Sequence, residues 1–339
     1  MKVLLIRREN IGDLILTTPL ISMLAKEHQV DVLVNTYNMP VLDGNPHVTN
    51  VYHYTKSHHE TSLKAKIGAV AHRLKTTLDI WRTGYDVALI AGNWNKRALT
   101  WARLSRAKRV ISIGEDAPAV ITDRIPYIQE KMHLVEELVQ LARPLGCELR
   151  PGKLELYVTP AEIEQAAEKI STQNKLPLYG LQISSRKPNQ RWPVEYFIEL
   201  AHRLSQREPC RIMLFWSPGS SDNPMHPGDD EKAAVIAQSC SDIDLIPYKT
   251  SNIRELMAGM ALCDQIVTSD GGALHIAAGV GKPVVALFGN SDGYHWGPWQ
   301  VPSRVLEATD NHVNSLSTDQ VYGSFIDLRN EVLSQEVTG

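Results

Sequence analysis

The chain has 339 residues, 43% of them hydrophobic and 22% charged, with 35 Lys and Arg against 38 Asp and Glu. That length exceeds one small core and points to two domains, while the near-neutral charge and the few aromatics speak against a nucleic-acid binder. No run nears the roughly 18 apolar residues that cross a bilayer, and the opening run Val3-Leu4-Leu5-Ile6 falls short of the roughly 7–15 residues of a signal-peptide core, so the cytosol is the expected site of action.

The first half alternates strand and helix. Val3-Leu4-Leu5-Ile6 is a short buried strand. Apolar residues at Ile11, Leu14, Ile15, Leu20, Ile21 and Leu24 then recur with a helical period up to Lys26. Pro19 inside this run kinks the helix or starts a new one. Val30-Asp31-Val32-Leu33-Val34 is the next strand, with later ones at 87–90 and 110–113. Arg150-Pro151-Gly152 breaks the pattern and places a domain boundary between 150 and 175. The second half repeats the scheme: strands at 177–182, 212–216, 265–268 and 283–288, helices at 193–206, 229–239 and 273–278, and a terminal helix at 318–334. Short apolar strands separated by helices predict parallel sheets with helices on both faces. Two doubly wound domains leave a cleft, and their ligands bind beyond the carboxyl ends of the strands.

Charge divides unevenly between the halves. Residues 1–150 hold 20 Lys and Arg against 15 acids, and the remainder 15 against 23. A basic first half suits an anionic acceptor or the anionic inner leaflet; chance imbalance in a solvated surface explains it equally. Cys147, Cys210, Cys240 and Cys263 show no CxxC spacing and are expected to be reduced, mostly buried thiols.

Candidate chemistry lies just after the strands. In Arg8-Glu9-Asn10-Ile11-Gly12-Asp13, Gly12 permits close approach, and Asp13 falls at a helix N-terminus. Asp13 is either a first-turn acid that stabilises the helix or a general base for a sugar hydroxyl. In Ser269-Asp270-Gly271-Gly272-Ala273-Leu274-His275, two glycines open a helix and offer N–H groups to a pyrophosphate. A plain strand-to-helix turn and a half-buried helix histidine remain the alternatives. The string is not GxGxxG, which disfavours a dinucleotide oxidoreductase. Ser184-Ser185-Arg186-Lys187-Pro188-Asn189-Gln190-Arg191-Trp192-Pro193 gathers hydroxyls and cations in an otherwise acidic half, as phosphate binding requires or as a solvated loop allows. Trp192 reads as core. Residues 217–231 form a long turn-rich segment whose acids, Asp229 among them, either cap the following helix or bind ribose or sugar. Between 56 and 82, Lys56, Lys64, Lys66, Arg73, Lys75 and Arg82 face only Glu60 and Asp79. The apolar period Leu63, Ile67, Val70, Leu74 predicts a helix with a basic outer face, fit for an anionic acceptor or simply solvated.

In this order, these strings resemble glycosyltransferase family 9, the heptosyltransferases of the lipopolysaccharide inner core. The likeness rests on Asn10-Ile11-Gly12-Asp13 with Thr17-Thr18-Pro19, on Arg191-Trp192-Pro193, and above all on 269–278 followed by Gly281-Lys282-Pro283 and Leu287-Phe288-Gly289. It implies an α/β GT-B fold: Rossmann-like domains at 1–165 for the acceptor and 166–315 for the nucleotide-sugar, facing across a cleft, with a helix at 316–339 packing back on the first. It also implies an ADP-heptose donor, an inverting displacement, no cofactor and no required metal. Asp13 matches the catalytic base. Gly12, Ser184, Ser185, Lys187, Arg191, Asp229, Asp270, Gly271, Gly272, Ala273 and His275 are the expected donor residues, and Lys56, Lys64 and Arg73 the acceptor residues. The expected partners are a lipopolysaccharide-type anionic glycolipid and, peripherally, the cytoplasmic face of the inner membrane. One departure is that the family often carries Lys where this chain has Gln190, with Lys187 placed to supply the charge. A GT-B sugar-nucleotide epimerase and a non-catalytic sugar-nucleotide binder are the rival readings.

Overall fold

The computed structural model describes residues 1–55, 63–116, 118–170, 176–222 and 228–338. The chain divides into two units, Met1–Tyr157 and Val158–Gly339. The first contains β1 (Lys2–Ile6), α1 (Ile11–Ile15), α2 (Thr18–Ala25), β2 (Gln29–Asn35), β3 (Asn50–Tyr54), α3 (Leu63–Thr83), β4 (Val87–Asn93), α4 (Lys96–Leu104), β5 (Arg109–Ile113), β6 (Asp123–Ile125) and α5 (Leu134–Val139). Its strands run in the order β3-β2-β1-β4-β5-β6, and every pairing is parallel. Pro19 starts a helix rather than kinking one: it lies in the first turn of α2, where its missing N–H leaves no bond unmade.

The second unit contains α6 (Pro160–Lys169), β7 (Leu178–Gln182), α7 (Val194–Arg207), β8 (Arg211–Phe215), α8 (Asp230–Ser239), β9 (Leu245–Pro247), α9 (Ile253–Leu262), β10 (Gln265–Ser269), α10 (Gly272–Gly279), β11 (Val284–Phe288), α11 (Gly293–Trp296), β12 (Ser303–Glu307) and α12 (Thr318–Thr338). Its all-parallel order, β12-β11-β10-β7-β8-β9, is the same winding when counted from its own first strand. Each unit is thus Rossmann-like and doubly wound.

Burial explains the layering. β7, β8, β10 and β11 are buried along their whole length, as strands covered on both faces must be. Trp192, Phe197, Leu200 and Leu204 pack with Tyr179, Leu181 and Leu214 on one face of the second sheet. Trp192 is core, with its indole N–H donating to the Leu316 carbonyl at 2.8 Å. Val321, Phe325 and Leu328 of α12 join the same core, and Gln265 Nε2 donates to the Phe325 carbonyl at 2.8 Å. The inner face of the terminal helix therefore belongs to the second unit. The change of unit comes earlier than residue 165, because α6 packs on α9 and is held there by the Glu162–Arg254 pair. Upstream, the Glu155 N–H donates to Thr18 Oγ1 at 3.0 Å and ties that stretch to the first unit.

Cys210, Cys240 and Cys263 are buried, and burial pushes the Cys210 and Cys240 thiols up to about 11, so their nucleophilic thiolates are scarce at neutral pH. Among the described residues no helix is long and apolar enough to cross a membrane.

Candidate active site

Each sheet reverses its strand order at its first strand, between β1 and β4 and between β7 and β10. Ligands of such sheets bind at these switch points, beyond the strand ends. Both switch points carry a polar cluster.

In the first unit, Arg7 follows β1 directly and is 4% exposed. Its Nη1 donates to the Ala91 carbonyl of β4, across the switch point. The β4–β5 register slips between Ile90 and Asn93, and Gly92 there adopts φ +120°. A Cβ on Gly92 would collide with the Arg7 guanidinium, so the irregular strand and its glycine make room for Arg7. Arg7 in turn holds Asp13: Nη2 lies 3.3 Å from Oδ1, and Nε donates to the Asp13 carbonyl at 3.1 Å. The other carboxylate oxygen accepts the Asn10 N–H at 2.8 Å, closing a capping box on α1. Asp13 thus does cap its helix. A carboxylate oxygen has two lone pairs, so one contact on each leaves acceptor capacity for a substrate hydroxyl. Gly12 is buried behind it.

Beside this cluster, Arg8, Glu9, Asn95, Lys96 and Arg97 line a recess of about 450 Å³. Arg8 is fixed by its Nε bond to the Tyr54 hydroxyl at 2.6 Å and by Nη1 to Asn95 Oδ1 at 3.3 Å. Asn95 also caps α4 by accepting the Ala98 N–H at 2.9 Å. Lys96 and Arg97 therefore stand on the first turn of a helix that carries no acid there. Cations at this end oppose the helix dipole, a cost that an incoming anion would offset.

In the second unit, Asp270 and Gly271 join β10 to α10. Gly271 has φ +157° and ψ −174°, a region open essentially to glycine alone. Gly272, Ala273 and His275 form the first turn of α10, and His275 is buried at 3% exposure. Ser185 Oγ donates to the Asp270 carbonyl at 3.4 Å and so bridges β7 to β10. Arg191 Nε donates to the Ser185 carbonyl at 2.9 Å, folding its guanidinium back on the 184–186 loop. Gln190, 1% exposed, is the knot of the cluster. Its Oε1 accepts the Gly289 N–H at 2.8 Å, and its Nε2 donates to Ser291 Oγ at 2.6 Å and to Asp270 Oδ2 at 3.3 Å. Ser291 Oγ donates to the same Asp270 oxygen at 2.6 Å. Among the described residues no three His, Cys, Asp or Glu side chains gather as a metal-binding group.

The family model described as Glycosyltransferase family 9 (heptosyltransferase) matches residues 72–325. The chain belongs to glycosyltransferase family 9. It is 24% identical to lipopolysaccharide heptosyltransferase 2 of Escherichia coli (strain K12), over 99% of this chain and 97% of that protein. Its fold matches a family 9 glycosyltransferase from Veillonella parvula DSM 2008 with a TM-score of 0.80, at 21% identity and 97% coverage of both chains. It also matches E. coli ADP-heptose lps heptosyltransferase II with a TM-score of 0.74, at 21% identity, covering 99% of this chain and 100% of that one. The two Rossmann-like units are those of a GT-B glycosyltransferase.

For this family 9 enzyme, most of the expected donor residues converge at the β7/β10 switch point. Ser184 is engaged differently from its neighbour. Its hydroxyl donates to Asp229 Oδ2 at 2.5 Å and accepts the Ser217 N–H at 2.8 Å. Asp229 stands at the N-cap of α8, but its side chain caps nothing there. It pairs instead with Ser184 and with Lys232 Nζ at 2.5 Å, and is 5% exposed. The turn-rich segment before it is closed at its neck: the Asp229 N–H donates to the Ser217 carbonyl, and the Asp230 N–H to the Gly219 carbonyl. Lys187 is exposed.

Of the expected acceptor residues, only the Arg73 side chain lies among those described. Lys56 and the side chain of Lys64 lie outside the described residues. Arg73 places its guanidinium 5.7 Å from the Trp101 ring centroid. The expected basic outer face of α3 needs correction. The apolar residues Ile67, Val70 and Leu74 point outward, while Ala69, Thr76 and Ile80 seat the helix. That inner face packs against β3, and periodicity alone does not say which side does so. Sequence reading missed Arg7, Ser291, Lys96 and Arg97. A charged residue at the very end of the apolar β1 strand was the available signal for Arg7.

Proposed function

We propose that this glycosyltransferase moves heptose from ADP-heptose to a lipopolysaccharide core acceptor, with inversion and with Asp13 as the general base. Family membership and the names of the relatives support the donor and acceptor classes. The observation that supports the roles is that each unit carries a polar cluster at its own switch point: an acid held by Arg7 in the first, and a glycine-opened helix N-terminus in the second.

The second unit takes the donor. The diphosphate faces the Gly271–Ala273 turn, where unsatisfied helix N–H groups and the dipole favour negative charge. Arg191 and Lys187 add positive charge along the 184–191 loop, and Ser185 a hydroxyl. Ser184 acts through Asp229, orienting a carboxylate suited to a donor hydroxyl. Asp270, with two contacts on Oδ2, shapes the turn. His275 is buried in the first turn of α10.

The first unit takes the acceptor, whose anionic groups meet Arg8, Lys96 and Arg97 at the recess. An acceptor hydroxyl attacks the anomeric carbon as Asp13 accepts its proton. The new glycosidic C–O bond forms, the bond from that carbon to the diphosphate oxygen breaks, and ADP leaves with the electron pair. Helix N–H groups and cations stabilise the diphosphate as its charge grows.

The test is ADP release from ADP-heptose with and without a heptose-deficient core acceptor, alongside calorimetric binding of ADP-, UDP- and GDP-sugars. The reading requires acceptor-dependent release and selective binding of ADP-heptose. Selective binding of another nucleotide-sugar would reassign the substrate. Acceptor-independent turnover of the sugar nucleotide would replace transfer by epimerisation.

A further inference from the structure

Helix α3 turns a continuous apolar stripe to solvent. Ile67 is 63% exposed, Val70 55%, Leu74 65%, Leu78 42% and Trp81 46%. At about 100° per residue, all five fall within about 40° of the direction of Leu74. The helix is seated by the opposite side, where Ala69 and Ile80 are buried and Thr76 Oγ1 donates to the His53 carbonyl at 2.9 Å. Single exposed apolar residues are ordinary on a soluble protein, but a stripe of five on one helix face is not.

Charge frames this stripe. On the same helical projection Lys75 and Arg82 fall on one flank and Arg73 on the other, all at roughly 80–100° from Leu74. Arg106, just after α4, lies with its guanidinium 4.9 Å from the Trp81 ring centroid. Asp79 is the one acid between 67 and 83, and it falls toward the inner side. An apolar face with cations along both edges is the pattern of a helix lying in a membrane interface, its long basic side chains reaching to lipid phosphates. A second copy of the chain is a poorer occupant, because two such faces would bring like-charged flanks together.

We propose that α3 docks the protein on an anionic bilayer surface. Ile67, Val70, Leu74, Leu78 and Trp81 enter the headgroup–acyl boundary, and Arg73, Lys75, Arg82 and Arg106 meet the phosphates. The proposal stands apart from the transfer reading, since docking is measured without donor or acceptor.

The test is flotation of the full chain with phosphatidylcholine vesicles, with and without phosphatidylglycerol, at rising salt. Wild-type protein floats with the phosphatidylglycerol vesicles and is released as salt rises. Leu74→Glu/Leu78→Glu, at exposed positions, keeps the melting temperature and lowers the bound fraction by roughly tenfold or more. Lys75→Glu/Arg82→Glu also lowers it, through charge alone. Wild-type flotation that ignores phosphatidylglycerol, or variants that float as wild type does, overturns the proposal. So does a wild-type dimer in sedimentation velocity that Leu74→Glu/Leu78→Glu dissolves, which would give the face to a second copy.

Discussion

The Arg7 guanidinium binds Asp13 twice, through Nη2 to the carboxylate at 3.3 Å and through Nε to the backbone carbonyl at 3.1 Å. One residue therefore fixes both the side chain and the turn that carries it. Asp13→Asn keeps the size and an acceptor oxygen for the Asn10 N–H, but loses the basic carboxylate. We expect kcat to fall by roughly 10²–10⁴-fold with ADP-heptose binding retained in calorimetry. Near-normal turnover would remove Asp13 from the role of base.

Gly92 is the counterpart of that relationship on β4. Its positive φ and the guanidinium occupying the space of a Cβ both demand glycine. Gly92→Ala is expected to cost about 1–3 kcal/mol of stability and to displace Arg7. Transfer measured well below the melting temperature should then fall further than the folded fraction does. Turnover that tracks the folded fraction alone would show that the position of Arg7 is immaterial to the reaction.

The structure gives the buried Gln190 amide a use that lysine could not fill. It accepts from the Gly289 N–H and donates to Ser291 and Asp270 while 1% exposed. An ammonium only donates. Gln190→Lys leaves the Gly289 N–H unpaired in the interior and should lower stability by about 1–3 kcal/mol in denaturant unfolding. An unchanged or raised midpoint would show that the loop readily re-forms around a charge.

β1, β8 and β11 were legible because they are nearly continuous apolar runs, and β7 and β10 were placed from shorter apolar stretches followed by turn signals. The edges were not. β3, β9 and β12 are half-exposed, with mixed residues that carry no apolar run, and β6 is three residues long. The loops of the proposed donor site were legible as strings, since their glycines and hydroxyls follow strands directly. Their hydrogen bonds were not, because Gln190, Ser291 and Gly289 meet only when β7 and β11 lie in one sheet. The outward turn of the α3 apolar face was equally hidden. A period of apolar residues gives a face, and only packing decides whether that face looks in or out.

Gly271 carries the turn proposed to hold the donor, at φ +157° with open space around the position a Cβ would take. Any effect of Gly271→Ala therefore comes from backbone conformation and not from a clash. About 1–3 kcal/mol of strain is expected. If the turn relaxes instead, the N–H groups at the start of α10 swing off their present line. Calorimetry should then show weakened ADP-heptose binding, with acceptor binding unchanged. Full donor affinity in a stable Gly271→Ala protein would take the diphosphate away from this turn.

The Glu162–Arg254 pair gives the second unit an acid-sensitive clasp. Arg254 reaches Glu162 through Nε at 2.7 Å and Nη2 at 2.5 Å, joining α9 to the first turn of α6. Its guanidinium holds the Glu162 carboxyl well below its ordinary 4.5, at about 2, with the Thr159 N–H and hydroxyl assisting. A carboxyl depressed on folding stabilises fully above its unfolded value. That stabilisation is lost as pH falls through its folded value, here between about 4.5 and about 2. The pair is partly solvated, so about 1 kcal/mol is expected. Melting curves of wild type and Arg254→Met should therefore differ at pH 6 and converge toward pH 2. A gap that stays constant over that range would assign the effect of Arg254 to packing rather than to its charge.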